Sequence, residues 1–278
     1  MKNVDPHVAE GFGREWSAFT QGTGDLDAAE KRRLFEAYFH IFPWQSLPPN
    51  AVGLDAGCGS GRWSTLVAPR VGHLHLLDAS ADALAVARRN LAAARNVSFH
   101  HASVSEPPLP DESLDFAFSL GVLHHVPDTP AAIRAIAARL KPGAPFLIYL
   151  YYALDNRPPW FRALWQMSNQ GRLMISSLPA PLRMAASQFI AATVYWPLAR
   201  LSRLMAAAGL PTGLIPLEAY KDTSFYTMRT DAYDRFCTSL EKRFTRAEIS
   251  EMLRAAGFED IVFSETVPFW CAVGRKGR

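Results

Sequence analysis

The sequence predicts an α/β fold: a mostly parallel sheet with helices on both faces, interrupted by a helical insertion. Three observations carry that expectation. Short apolar runs alternate with helix-like stretches from Ala51 to Tyr152. The first apolar run ends in LDAGCGSGR, residues 54–62, a strand followed by a glycine-rich turn. The alternation then breaks between residues 155 and 217 and resumes near residue 245.

The elements follow in order. Residues 1–50 read as a helical cap, in which AEKRRLFEAYFHIF places Leu34, Phe35, Tyr38, Phe39 and Phe42 near one face. AVGLDA, HLHLLDA, VSFHH, SLDFAFSL and APFLIYLYY read as five strands over a core at 51–152. Between them, SGRWSTLVAPR, SADALAVARRNLAAARN and DTPAAIRAIAARLK read as helices, the second opened by Ser80 and the third carrying Pro130 in its first turn. A mainly helical insertion is expected at 153–240. Residues 241–278 close the core with a helix, opened by a Thr245–Glu248 capping box, and two strands, EDIVFSE and PFWCAVGRK.

Composition narrows the class. The 278 residues are 49% apolar and 20% charged, with a net charge of +3, which suits a soluble globular protein and is too small to argue for nucleic acid. Cys58, Cys237 and Cys271 are far apart and odd in number. No disulfide framework or metal site is expected, and a reducing cytoplasm fits best. The first residues lack an apolar leader stretch, and no run of about 18 apolar residues occurs, so neither a secretory leader nor a spanning helix is expected.

Each glycine in the turn costs conformational entropy, and the return is a tight bend or room for a ligand against the backbone. The spacing at Gly57, Gly59 and Gly61 is GxGxG, not GxGxxG, and no GK[ST] follows. Asp55 precedes the turn. A pyrophosphate gains little from an acid there, whereas a cationic or amino-bearing ligand gains from it. Asp78 ends the second strand, where a carboxylate can accept both hydroxyls of a ribose. Cys58 reads as a small loop filler. A sulfonium nucleoside, S-adenosylmethionine, meets all these demands.

With LDAGCGSGR, LLDAS, LPDESLDFAFSLGVLHHVPD and LKPGAPFLIYLYY in succession, the chain resembles the class I S-adenosylmethionine-dependent methyltransferases, nearest the ubiquinone/menaquinone-type, small-molecule branch. The resemblance covers roughly residues 51–152. It implies a Rossmann-like sheet of seven strands, order 3-2-1-4-5-7-6, with a substrate lid after strand five. It also implies a cofactor site at Asp55, Gly57, Cys58, Gly59, Gly61, Asp78, Ala79, Ser103 and Leu120, and S-adenosylhomocysteine as product. Ser103 stands where the family often has an acid.

Methyl transfer needs alignment of nucleophile and methyl, and a base where an O–H or N–H attacks. All eight histidines lie at or before position 125. His124 and His125 follow strand four, and His124 is the leading expectation for a base. His73 and His75 read as structural. Tyr151, Tyr152 and Asp155 are rivals. Residues 155–217 hold six arginines and one acid, Asp155, a net charge of +5. Their aromatic, alanine-rich stretch Met184–Ala199 could line an apolar pocket, rest at a membrane interface, or pack against a second subunit. Candidate acceptor contacts are Tyr151, Tyr152, Arg157, Trp160, Tyr226 and Arg229; residues 218–245 also read as a surface connection. Trp16 and Phe19 are expected to close over the cofactor.

The expected function is methyl transfer to oxygen or nitrogen of a small, partly apolar metabolite such as a quinone, lipid or natural product, with carbon left open. Alternatives are a nucleic-acid or protein methyltransferase, or a cofactor-binding but inactive scaffold. SLGVLHH replaces the [ND]PP[YF] of many nucleic-acid enzymes, so no nucleic-acid partner is expected.

Overall fold

The structure, a computed structural model, describes residues 1–22 and 24–278. One sheet of seven strands organises it: β1 (Val52–Ala56), β2 (His73–Asp78), β3 (Val97–His101), β4 (Phe116–Leu120), β5 (Pro145–Tyr149), β6 (Phe258–Phe263) and β7 (Cys271–Lys276). Their order is β3-β2-β1-β4-β5-β7-β6. The first five run parallel and β7 is antiparallel to both neighbours. β1, β4 and β5 are apolar at nearly every position because both faces of the sheet are covered there.

One face packs against α5 (Thr129–Arg139) and α10 (Arg246–Ala255). There Ile133, Ile136, Ile249 and Leu253 bury against Leu54, Phe146 and Ile148. The other face takes α2 (Ala28–Phe39), α3 (Ser64–Val67) and α4 (Ala81–Asn90), with Phe35, Phe39, Val67 and Leu84 against Leu76, Phe118 and Leu147. Local chemistry sets the helix starts. Ser80 Oγ accepts from Ala83 N, Asp128 Oδ1 accepts from Ala131 N, and Thr245 and Glu248 form the expected capping box. The strongly helical stretch after Ser80 stops at Asn90, whose side-chain amide donates to the carbonyls of Thr20 and Ser60 instead of facing solvent. The helix expected over residues 60–70 shortens to α3 and a 3-10 turn, Ala68–Arg70.

The chain divides into two compact units. The first comprises Met1–Gly24, Lys31–Asp155 and Leu240–Arg278 and contains the sheet and α1 (Pro6–Ala18). The second comprises Asp25–Glu30 and Asn156–Ser239. α1 thus belongs to the sheet-bearing unit, and Asp25–Glu30 goes with the insertion.

Within the second unit, α6 (Pro159–Ser176), α7 (Ala180–Ile190), one π-helical turn (Ala191–Tyr195), α8 (Trp196–Ala207) and α9 (Phe225–Cys237) surround Ala191, Tyr195, Ala199, Met228, Ala232 and Phe236. The reading of 218–245 as a surface connection needs correction. Met228, Ala232 and Phe236 recur every four residues and form the buried stripe of α9. Threonines, aspartates and arginines between them dilute the pattern in the sequence.

β1 and β4 approach so closely that a methyl group at Gly53 would fall 2.0 Å from Cζ of Phe116, a fully buried ring. Gly53→Ala is expected to lose about 1–3 kcal/mol of stability in urea unfolding, and Phe116→Leu in the same chain to restore part of it.

Candidate active site

The site is built at the carboxyl ends of β1, β2, β4 and β5. β1 delivers Asp55, whose carboxylate is only 3% exposed and accepts Ser64 Oγ at 2.6 Å. β2 delivers Asp78, whose two oxygens accept Gly59 N at 2.9 Å and Ser80 N at 2.8 Å. Asp78 thus ties the glycine turn to the start of α4. The turn requires its glycines. Gly57 has φ +86°, and a Cβ there would lie 2.3 Å from Cγ1 of Val122. Gly59 has φ +52°, and a Cβ would lie 2.8 Å from Nε1 of Trp16. Gly61 N closes the turn on the Cys58 carbonyl at 2.8 Å.

Burial pushes the Asp55 carboxyl up to about 7, opposed by the Ser64 hydroxyl and reinforced by the neighbouring charge of Asp78. Asp78 is raised too, by burial, against the backbone donors of Ser80 and Gly59. Among the described residues, no lysine or arginine forms an ion pair with either carboxylate. A buried and a half-buried acid on adjacent strands, paired with no lysine or arginine, make a site that favours positive charge. The Cys58 thiol is pushed well above its ordinary range, first by burial and then by Asp78 and Asp55, which removes it as a nucleophile.

The other sequence candidates fall around this centre. Ser103 is buried, and its Oγ accepts from Ser105 N at 3.1 Å. Ala79 accepts from His101 Nε2 at 3.0 Å through its carbonyl. Leu120 ends β4 and packs against the core beneath the turn. α1 runs over the turn: Trp16 sits on Gly59, and Gly13 is close enough to Ser80 that a Cβ would meet its Oγ at 2.7 Å. Gln21, past the helix end, accepts from Ser60 Oγ at 2.8 Å.

His124, His125 and Tyr151 come together. The imidazole of His124 stacks on the Tyr151 ring at 3.8 Å between centroids, and the two histidine rings lie 4.0 Å apart. His124 is fully buried, which holds it neutral, with its pKa well below the usual histidine range. Tyr151 N donates to His124 Nδ1 at 3.4 Å, so the ring proton of the neutral form sits on Nε2. Burial and this contact weigh against the base role expected for His124. His125 Nδ1 lies 2.7 Å from the Leu240 carbonyl and donates to it. Its ring packs edge-on against Phe12 of α1 at 5.0 Å.

Tyr152 Cα pairs with Phe244 in an isolated bridge. Asp155 is engaged structurally, accepting Trp270 Nε1 at 2.7 Å and Arg246 N at 3.1 Å. Arg157, Trp160, Tyr226 and Arg229 belong to the second unit. There Arg157 donates to the Gly213 carbonyl and Arg229 to Gln188 Oε1, so both guanidiniums serve that unit's own packing. Sequence reasoning missed Ser64, Phe12, Val122 and Arg243. The Arg243 guanidinium lies 5.3 Å from the Tyr151 ring centre and donates to the Tyr152 carbonyl. Val122 lies within SLGVLHH and Ser64 nine residues past Asp55, whereas Phe12 and Arg243 carry no motif and reach the site through long-range packing.

The profile of the family described as "Methyltransferase domain" matches residues 54–143. A ubiquinone biosynthesis O-methyltransferase of Hydrogenovibrio crunogenus is 28% identical over 158 residues, 56% of this chain and 63% of that protein. A malonyl-[acyl-carrier protein] O-methyltransferase of Serratia marcescens is 33% identical over 136 residues, 47% of this chain and 50% of that protein. The chain therefore spans about half to two-thirds of these curated relatives. A solved SAM-dependent methyltransferase from Methanosarcina mazei shares the fold, with a TM-score of 0.52 and 17% identity, over 85% of this chain and 98% of that one.

A carboxyl group raised on folding binds a proton that the unfolded chain has released. The stability it contributes is present below about pH 4 and is lost as pH rises towards 7. The melting temperature of the unliganded protein is expected to fall over that interval, with Asp55→Asn flattening the fall; equal slopes for the two proteins would contradict the assignment. Fold, motif order and family profile agree in likening the chain, through residues 54–143, to the class I S-adenosylmethionine-dependent methyltransferases.

Proposed function

We propose that the protein transfers the methyl group of S-adenosylmethionine to an oxygen or nitrogen of a small, partly apolar metabolite. One observation carries the reading: the carboxylates of Asp55, buried, and Asp78, half-buried, flank a glycine turn, and among the described residues no lysine or arginine pairs with either. An amine beside Asp55 and a ribose diol on the remaining lone pairs of Asp78 fit that chemistry. The backbone at Gly57 and Gly59 receives the methionyl end, Ala79 and Ser103 flank the base, and Leu120 lies beside the methionyl chain. When bound, the cofactor would supply a sulfonium methyl group whose carbon is open to in-line attack by a lone pair, the C–S bonding pair leaving with the thioether sulfur of S-adenosylhomocysteine.

The residues of β4 and β5 do the rest. Tyr151 and the two histidines form an aromatic wall on the acceptor side. His125 takes a proton at Nε2 where the acceptor carries one, and His124 donates from Nε2 to an acceptor oxygen. The relatives named for ubiquinone biosynthesis and for malonyl-acyl carrier protein support an oxygen acceptor on a small or carrier-bound molecule.

The test is turnover on an extract of the host. Incubation with the cofactor is expected to yield S-adenosylhomocysteine and a metabolite heavier by about 14 Da, the replacement of hydrogen by methyl at a nucleophile. Cofactor binding without either product would favour a scaffold. With the acceptor identified, His125→Asn is expected to cut kcat about a hundredfold at unchanged cofactor affinity. Near-normal turnover of that variant between pH 6 and 9 would remove the base assignment.

A further inference from the structure

Among the described residues, seventeen large apolar side chains are exposed, and fourteen of them lie between Trp160 and Leu214. They are organised. On α6, Trp160, Leu164, Met167, Met174 and, just past its end, Leu178 follow steps of four, three, seven and four, with Gly171 filling the middle of the stripe. These positions share one helix face. Met167 and Met174 are each 73% exposed. The buried position on this helix is Arg172, which donates to Asn169 Oδ1 and the Thr238 carbonyl. Arg172 is thus held inside while the apolar stripe of the same helix faces water. The following helices continue the theme: Leu182 and Phe189 on α7 and Trp196, Leu201 and Leu204 on α8 are all exposed, Phe189 by 68%.

Charge selects the occupant. Residues 156–217 contain six arginines and no aspartate, glutamate or lysine. Arg162 and Arg203 are exposed, and the Arg200 guanidinium stacks 4.0 Å over the Trp196 ring. A symmetric contact with a second copy would set this acid-free, arginine-bearing patch against itself. A negatively charged lipid surface complements it. Exposed tryptophans beside arginines suit the headgroup level of a bilayer. Among the described residues, no helix is long and apolar enough to cross one.

We propose that α6 and the α7–α8 segment are an in-plane docking surface for an anionic lipid bilayer. The proposal rests on the exposure and charge of the second unit and not on the methyl-transfer reading, so either can fail alone.

Co-sedimentation of the full chain with vesicles tests it, using phosphatidylcholine alone and phosphatidylcholine mixed with phosphatidylglycerol. Binding is expected to rise at least several-fold with phosphatidylglycerol and to fall with added salt. Arg203→Gln is expected to weaken it about fivefold, the effect of one basic residue near a charged surface. The double variant Met167→Glu/Met174→Glu is expected to abolish binding while its melting temperature stays unchanged, because both side chains already face water. Equal binding to both vesicle types, or binding to neither, overturns the proposal. So does a dimer in sedimentation velocity that the double variant dissolves, since that would make a second copy the occupant.

Discussion

Two carboxylates at the ends of neighbouring parallel strands, Asp55 buried and Asp78 half-buried, with no lysine or arginine paired to either among the described residues, set the terms for the site. Such a pair is costly unless hydrogen bonds or an incoming charge relieve it. The protein relieves part of it. Ser64 donates to Asp55, and the backbone amides of Gly59 and Ser80 donate to Asp78. Those same bonds dictate the glycine turn, because Asp78 can reach Gly59 N only if the chain bends with positive φ at Gly57 and Gly59. The rest of the strain remains as a raised Asp55, a group ready to lose its proton when a cation arrives.

Around that centre the fold assembles an aromatic cluster and a cover. The segment after β4 places two imidazoles against Tyr151, one held by the Tyr151 amide and the other by the Leu240 carbonyl. α1 brings Phe12 to one end of the site and Trp16 to the other, two residues one helical turn apart. The second unit contributes a different chemistry, an apolar and arginine-bearing exterior whose sequence carries no acid over residues 156–217.

The sheet was legible in the sequence because its signals are local. Alternating apolar runs, Ser80 and Thr245 as caps and the GxGxG turn each act within a few residues. The strand order rested on the family resemblance. What was not legible depends on distant partners. Asn90 ends α4 because Thr20 and Ser60 capture its amide. Nothing near His124 in the sequence announces that it will be entirely buried beneath Tyr151. α9 was obscured because only every fourth residue of a polar stretch faces its core. The helical pattern of α6 was readable in principle, but periodicity does not say which face is inside; the buried bonds of Arg172 decide it.

The central claim, that Asp55 waits for a positive charge, is tested most directly by calorimetric titration of S-adenosylmethionine near pH 6 in two buffers of different ionisation heat. With the carboxyl raised to about 7, binding should release close to one proton in the native protein and none in Asp55→Asn, and native affinity should climb as pH rises through 7. Identical proton counts and pH profiles in the two proteins would contradict the account.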